Sequence, residues 1–299
     1  MQNILQNEGM RGVEKDKSRR QRLPEWFRME RARGETYSKV KNLVQKNHLN
    51  TICTSGNCPN IGECWNAGTA TFMILGDICT RSCKFCSVKT GKPLAVDKNE
   101  PRRLANAIRI MKIKHAVLTS VDRDDLDDSG SAFWAEVIQT IRKVNPEVTM
   151  ETLIPDFDGV EDSLMRIVDA GPEVISHNLE TVRRLTPQIR SRAKYDRSLK
   201  VLKFLAGKGC VTKSGLMLGL GEEEHEVLEA MDDLRMVGCK VLTLGQYLAP
   251  TLEHIRVQEY VRPEMFEKYR LAAIEKGFTH VESSPLVRSS YHAEKHVNS

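Results

Sequence analysis

Thr71-Phe72-Met73-Ile74-Leu75-Gly76-Asp77-Ile78-Cys79-Thr80-Arg81-Ser82-Cys83-Lys84-Phe85-Cys86 is an apolar run that ends on a glycine and opens into three cysteines. Five large apolar or β-branched residues closed by a turn residue read as a buried strand, Thr71 to Leu75. The same element recurs at His115–Val121, Val148–Ile154, Glu173–Ser176, Val211–Leu218 and Val241–Leu244, making six strands. Helical patterns alternate with them at Pro101–Lys112, Ala132–Val144, Val160–Asp169, Asp196–Ala206 and Glu222–Met236, and a last one follows Pro263. Near-continuous apolar strands separated by helices indicate a parallel sheet covered on both faces. Right-handed crossovers wind such a sheet into an open or closed barrel, with functional groups at the C-terminal ends of the strands. The thiols after the first strand stand at that end. Upstream, Ser38 to Asn47 reads as a short helix with Val40, Leu43 and Val44 on one face. The Gly-, Asn- and Pro-rich cysteine window reads as loops bracketing one strand.

Six of the eight cysteines fall within 34 residues, as two triplets. Cys79, Cys83 and Cys86 have the spacing C-x3-C-x2-C. Three thiolates fill three corners of a [4Fe–4S] cube and leave one iron open, as a catalytic cluster needs. A structural zinc site wants four closed ligands, and only one C-x2-C pair is present here, with no His nearby. Cys53, Cys58 and Cys64, spaced C-x4-C-x5-C, again offer three ligands without a fourth in sequence. For this triplet a zinc ion with a distant fourth ligand stays open. Cys210 and Cys239 each follow a glycine and precede a β-branched strand, and read as small buried hydrophobes.

Composition narrows the classes further. Of 299 residues, 40% are hydrophobic and 28% charged, with no apolar stretch long enough to span a membrane. The formal charge of +5 is uneven: residues 1–50 hold 12 basic and 6 acidic side chains, and the remainder nets −1. A nucleic-acid binder carries its positive stripe on the folded body, so nucleic acid and membrane are not expected partners. The basic stretch reads as a loose polar arm over residues 1–23, suited at most to an acidic protein partner. Glu8, Glu14, Asp16 and Glu25 argue against a secretory or transit segment. A cytoplasmic, reducing setting is therefore expected, in which the cysteines are ligands and not disulfides.

The C-x3-C-x2-C loop with Phe85 before its last cysteine resembles the signature of radical S-adenosylmethionine (SAM) enzymes. The upstream triplet, continuing into Pro59-Asn60 and Cys64-Trp65, is similar to the lipoyl synthase family within that superfamily. The resemblance runs from about Leu23 through Thr71–Gly76, Thr119–Asp125, His177–Pro187, Leu218–Glu222, Gly245–Leu248 and Arg288–His292. Departures at Thr54-Ser55-Gly56-Asn57 and Ser129-Gly130-Ser131 touch no ligand.

The resemblance implies an α/β fold: a partial (β/α)6 TIM-type barrel over residues 68–277. An N-terminal arm and auxiliary-cluster extension would occupy 1–67, and a C-terminal extension closing that cluster 278–299. It implies two [4Fe–4S] clusters and SAM. Cys79, Cys83 and Cys86 would hold the catalytic cluster. Cys53, Cys58, Cys64 and Ser290, with Ser289 the fallback, would hold a second one that donates sulfur. The implied reaction inserts two sulfur atoms at C6 and C8 of a protein-bound octanoyl-lysine. Implied partners are an octanoylated lipoyl carrier domain or H-protein-type substrate and an electron carrier of the flavodoxin or ferredoxin class. Phe85, Ser120, Asp122, Asn178, Glu180 and Arg192 are the candidate SAM contacts.

Several features carry less. Gly219 and Gly221 suit a tight turn as well as a ligand loop. His115 and His225 read as structural or solvated, and His292 as a neighbour of the serine motif. The run from Asp122 to Asp128 lacks the Gly and Glu of a calcium loop. Two other readings remain: a different sulfur-inserting or methylthio-transferring radical SAM enzyme, and a zinc-stabilised RNA-binding module.

Overall fold

In the computed structural model, which describes residues 22–27 and 33–297, Thr71–Ile74 is a fully buried strand beside His115–Ser120. Most of the expected arm, residues 1–21, lies outside the described residues. The strands in chain order are β1 (Asn50–Thr51), β2 (Thr71–Ile74), β3 (Ile78–Cys79), β4 (Lys89–Thr90), β5 (His115–Ser120), β6 (Thr149–Leu153), β7 (Val174–Ser176), β8 (Val211–Leu218), β9 (Val241–Gln246) and β10 (His280–Ser283). The helices are α1 (Glu35–Lys46), α2 (Ile52–Ser55), α3 (Ile61–Asn66), α4 (Glu100–Met111), α5 (Ser131–Val144), α6 (Glu161–Ala170), α7 (Thr186–Ile189), α8 (Tyr195–Gly207), α9 (Glu224–Met236) and α10 (Pro263–Glu275).

All six expected strands form, in one sheet ordered β1-β2-β5-β6-β7-β8-β9-β10. Every pairing is parallel except β1 with β2. The sheet does not close on itself, which makes it the partial barrel expected. Two strands go beyond the six. β10 is half-exposed along its whole length, so it shows no apolar run, and β1 is only two residues long. The cysteine window also differs from the loops expected there. Thr51 caps α2 by accepting the Thr54 N–H, and α3 buries Trp65; both helices are too short to display a 3.6-residue period. Glu222 stands outside α9, its carboxylate accepting the Leu220 N–H at 2.9 Å, and Glu223 with Glu226 forms the capping box instead.

Two apolar clusters flank the sheet. One joins Leu118, Trp134 and Ile138 to Val40, Val44 and Trp65 of the N-terminal helices. The other gathers Leu242, Leu244, Met231 and Phe266 under α8 to α10. Past β10 the chain returns across the sheet's C-terminal edge. Gln246 N–H donates to Pro285 O at 3.2 Å, and Asn60 Nδ2 donates to Leu286 O at 2.8 Å. Gly245 makes this crossing possible, since a Cβ there would stand 2.1 Å from Val287 O. The chain then drops to a 3-10 turn, Ala293–His296. Among the described residues no helix is long and apolar enough to cross a membrane.

Candidate active site

Gly76 at φ 97° turns the chain out of β2 into the loop that carries Cys79, Cys83 and Cys86. β3 and β4 clamp the base of that loop through the pairs Ile78–Lys89 and Cys79–Thr90. Its crest is tied across the mouth of the barrel. Lys84 N–H donates to Ile189 O, Ile255 N–H to Lys84 O, and Ser82 N–H to Ser191 Oγ at 3.1 Å. His254 Nε2 lies 3.0 Å from Cys86 O. Arg81, buried at the centre of the loop, pins it to the strand ends with Nη2–Asp124 at 2.7 Å and Nη2–Asp156 at 2.8 Å.

Cys79 Sγ accepts the backbone N–H groups of Arg81 at 3.4 Å and Asp122 at 3.3 Å, an arrangement that suits a thiolate. Burial favours the protonated thiol at Cys79 and Cys86. Burial, then the Asp122 carboxylate, pushes Cys79 up to about 12, and burial first pushes Cys86 to about 11. Burial also raises Cys53 and Cys58 and takes Cys64 to about 12, with each triplet's thiols close enough to repel one another as anions. Iron held by these thiols would replace those protons and remove that repulsion. All eight cysteines are free of disulfides. Among the described residues no three Cys, His, Asp or Glu side chains gather about one point closely enough to hold a single ion. A cube takes each thiolate at a separate iron, whereas zinc draws four donors to one centre. The two triplets fit clusters better than zinc.

A cavity of about 890 Å³ occupies the mouth and interior of the barrel. Cys53, Cys58, Phe85 and Cys86 line it, together with Ser289 and Ser290 of the C-terminal segment. Asn178 and Glu180, following β7, also line it. Asn178 Nδ2 donates to Glu180 Oε1 at 3.1 Å and to Ser289 Oγ at 2.9 Å. Glu180 is held at φ 67° because its backbone bonds β8 on both sides, to Gly215 O and from Met217 N–H. Strain of this kind persists where the surroundings over-determine it, commonly at functional sites. Burial raises the Glu180 carboxyl. Ser289's hydroxyl is thus engaged with Asn178, while Ser290 lines the same cavity as Cys53 and Cys58.

Three of the expected SAM contacts, Ser120, Asp122 and Arg192, do not line that cavity. Ser120 Oγ accepts the Trp134 indole N–H at 3.1 Å. Asp122 lies against Cys79 and Arg81, with Cys79 Sγ at 3.6 Å, outside the cavity wall. Arg192 is half-exposed and paired with Asp158 at 2.5 Å, in a smaller polar recess with Arg81 and Asp124. Other residues gained a place that sequence reading had not given them. Arg190 holds the loop after β7 through the Asn178 and Leu179 carbonyls, and Arg288 lines the cavity within electrostatic range of Cys58. Arg288 opens the quoted Arg-Ser-Ser-Tyr motif and was legible; nothing in the sequence singled out His254 or Ser191.

A parallel partial barrel with three thiols on the loop after its first parallel strand, above a deep cavity, defines a radical SAM enzyme, and residues 73–234 match the radical SAM superfamily. Such enzymes use a [4Fe–4S] cluster and SAM. Solved structures agree on the fold: methylornithine synthase superposes with a TM-score of 0.55 at 12% identity over 83% of this chain and 78% of that one. Streptococcus suis SuiB bound to S-adenosylmethionine gives 0.57 at 7% identity over 85% and 58%. Sequence relatives are more particular. The chain is 60% identical over 277 residues to lipoyl synthase of Treponema denticola, covering 93% of this chain and 96% of that one. It is 57% identical over 280 residues to mitochondrial lipoyl synthase of Nematostella vectensis, covering 93% and 96%. The chain belongs to the lipoyl synthase family, radical SAM enzymes that insert sulfur. That membership removes the RNA-binding module and the other sulfur-inserting classes.

Proposed function

We propose that the chain inserts two sulfur atoms at C6 and C8 of an octanoyl group carried on a lysine of a lipoyl carrier domain or H-protein-type substrate. The observation that carries this reading is that Cys53 and Cys58 of one triplet and Cys86 of the other line one cavity. Cys79, Cys83 and Cys86 would hold the first cluster, and Cys53, Cys58, Cys64 and Ser290 a second that is the sulfur-donating substrate. When bound, the first cluster supplies the electron that cleaves SAM to a 5′-deoxyadenosyl radical, a species able to take hydrogen from unactivated carbon.

The chain's own residues bind, orient and exclude water. Leu216, Met217, Leu248, Ala249, Val257 and Tyr260 give the cavity an apolar wall. Burial of methylenes at roughly 0.8 kcal/mol each lets that wall hold an eight-carbon chain. Asn178 and Glu180 offer an amide and a carboxylate beside Cys86, suited to hydroxyl and amino groups of SAM. Phe85 backs the loop against the second apolar cluster. Ser290, a hard oxygen donor on a thiophilic iron, makes the weakest corner of a cluster that has to be dismantled. Asp122 and Arg192 would act through the carboxylate network that Arg81 joins, and Ser120 by holding Trp134. A flavodoxin- or ferredoxin-class protein is the proposed electron donor, and a reducing cytoplasm the proposed setting.

The test is anaerobic incubation with SAM, reductant and an octanoyl-lysine peptide, followed by mass analysis. Gain of two sulfurs per peptide, with 5′-deoxyadenosine released, is expected. Deoxyadenosine formation with no sulfur gained in the intact protein, or sulfur still gained after Cys53, Cys58 and Cys64 are all replaced by Ala, would overturn it.

A further inference from the structure

Glu151, Lys213 and His296 meet in the barrel interior, each almost wholly withdrawn from water. Lys213 Nζ donates to both Glu151 oxygens, at 2.7 and 2.9 Å. The same ammonium stands 3.2 Å from His296 Nδ1, which lies 3.5 Å from Glu151 Oε2. Ser176 Oγ donates to Glu151 Oε1 at 2.9 Å. An ion pair inside an apolar barrel gives up hydration that mutual attraction alone does not fully restore, so each extra polar partner counts. The strands supply two members of the group, on β6 and β8. The third comes from the far end of the chain, in the Ala293–His296 turn.

That origin gives the group a second consequence. The C-terminal segment is fixed at its upper end by Asn60 on Leu286 O and by Ser289 on Asn178, and Tyr291 Oη lies 3.2 Å from Glu63 Oε1. Its lower end is fixed inside the barrel, with the His296 ring 5.9 Å from that of His280 at the start of β10. Ser290 lies in the upper stretch, between Ser289 and Tyr291, and the lower anchor holds the chain that follows it. Glu151 also lines the large cavity, so this anchor forms part of its polar floor.

We infer that His296 is a positioning residue: by docking on the Lys213–Glu151 pair it latches the C-terminal segment into the barrel and so helps to hold Ser290 in the cavity that Cys53 and Cys58 line. The inference rests on the proposed role of Ser290 in the second cluster. Without the latch the segment keeps its upper contacts and His292 beside Glu282, but loses the buried end that fixes the chain beyond Ser290. The first cluster, held by Arg81 and the loop contacts, does not depend on it.

The test uses the full chain with His296→Ala and His296→Gln, beside Ser290→Ala. Hydrogen exchange is followed before and after cluster loading, together with iron content and 5′-deoxyadenosine release. Loss of the latch is expected to speed exchange over residues 286–292 by about tenfold or more, with β5 to β8 unchanged. Iron should fall from about eight toward about four per chain while SAM cleavage persists. Ser290→Ala should lower iron in the same way but leave exchange as in the wild type. If exchange over 286–292 is unaltered in His296→Ala, or quickens equally across the whole sheet in both His296 variants, the latch is wrong. If Ser290→Ala keeps full iron and product while the His296 variants loosen the segment, the serine assignment fails and the latch stands.

Discussion

Arg81 lies two residues beyond Cys79 and is buried among Asp122, Asp124 and Asp156. Its planar fork meets Asp124 with Nε at 2.9 Å and Nη2 at 2.7 Å, a geometry that a lysine ammonium cannot reproduce. Arg81→Ala leaves buried carboxylates uncompensated and should cost about 3–5 kcal/mol in urea unfolding. Arg81→Lys keeps the charge, so the loss should be smaller, while iron bound by the first triplet still falls; equal iron content would show that the fork does not position the loop. The thiols make a second prediction at this scale. Because burial raises Cys64 and Cys79 to about 12 and Cys86 to about 11, their thiolates are scarce at neutral pH. In the metal-free chain, alkylation at these three should quicken about tenfold per pH unit well past pH 9, following the thiolate fraction. A plateau near pH 9, read by mass spectrometry of the labelled peptides, would mean that the thiols are not held protonated by burial.

At the scale of elements, the crossing of β9 by the C-terminal segment depends on one missing side chain. Gly245→Ala places a methyl against Val287 O and must push the segment outward. Lipoyl product should fall about 10- to 100-fold, as expected for small misplacements of a reacting group, with 5′-deoxyadenosine release nearly unchanged. Parallel loss of both would locate the damage in β9 itself. Sequence reading reached this level unevenly, for physical reasons. The six central strands are buried on both faces and mostly apolar, so each announces itself within its own span. β10 has no such run, and α2 and α3 are shorter than two turns. Asn178 and Glu180 could be placed at a strand end and so beside the cavity, but Ser120 could not be separated from Trp134, 14 positions on, which takes its hydroxyl. The Glu151–Lys213–His296 group was out of reach altogether, because its members stand 62 and 83 positions apart and two of them lie in runs that otherwise look like plain strands.

For the whole molecule, these buried ionisable groups set how the fold responds to acid. His177 is closed in after β7, its Nδ1 2.9 Å from Ile154 O and its Nε2 2.9 Å from Ser198 Oγ. Burial first, and Arg190 second, lower it from 6.5 to about 4, so the folded chain keeps it neutral where the unfolded chain would protonate it. A depressed folded value means that its contribution is complete above 6.5 and is lost as pH falls toward 4. Glu151 and Asp156 act lower down. Burial alone would raise both, but Lys213 with His296 holds Glu151 to about 2 from 4.5, and Arg81 foremost holds Asp156 to about 2 from 3.8. Their contributions are complete above those ordinary values and disappear as pH falls through about 2. Stability should therefore decline in two stages, the first with histidine character between pH 6.5 and 4, the second with carboxylate character below it. Urea midpoints measured across this range for the wild type and His177→Gln separate the two. Glutamine keeps an uncharged polar group in the pocket but takes up no proton, so the variant should lose the upper stage and retain the lower. If its midpoint still falls as steeply between pH 6.5 and 4, the acid sensitivity originates at other groups and His177 is no more than a hydrogen-bonded strut between β6 and α8.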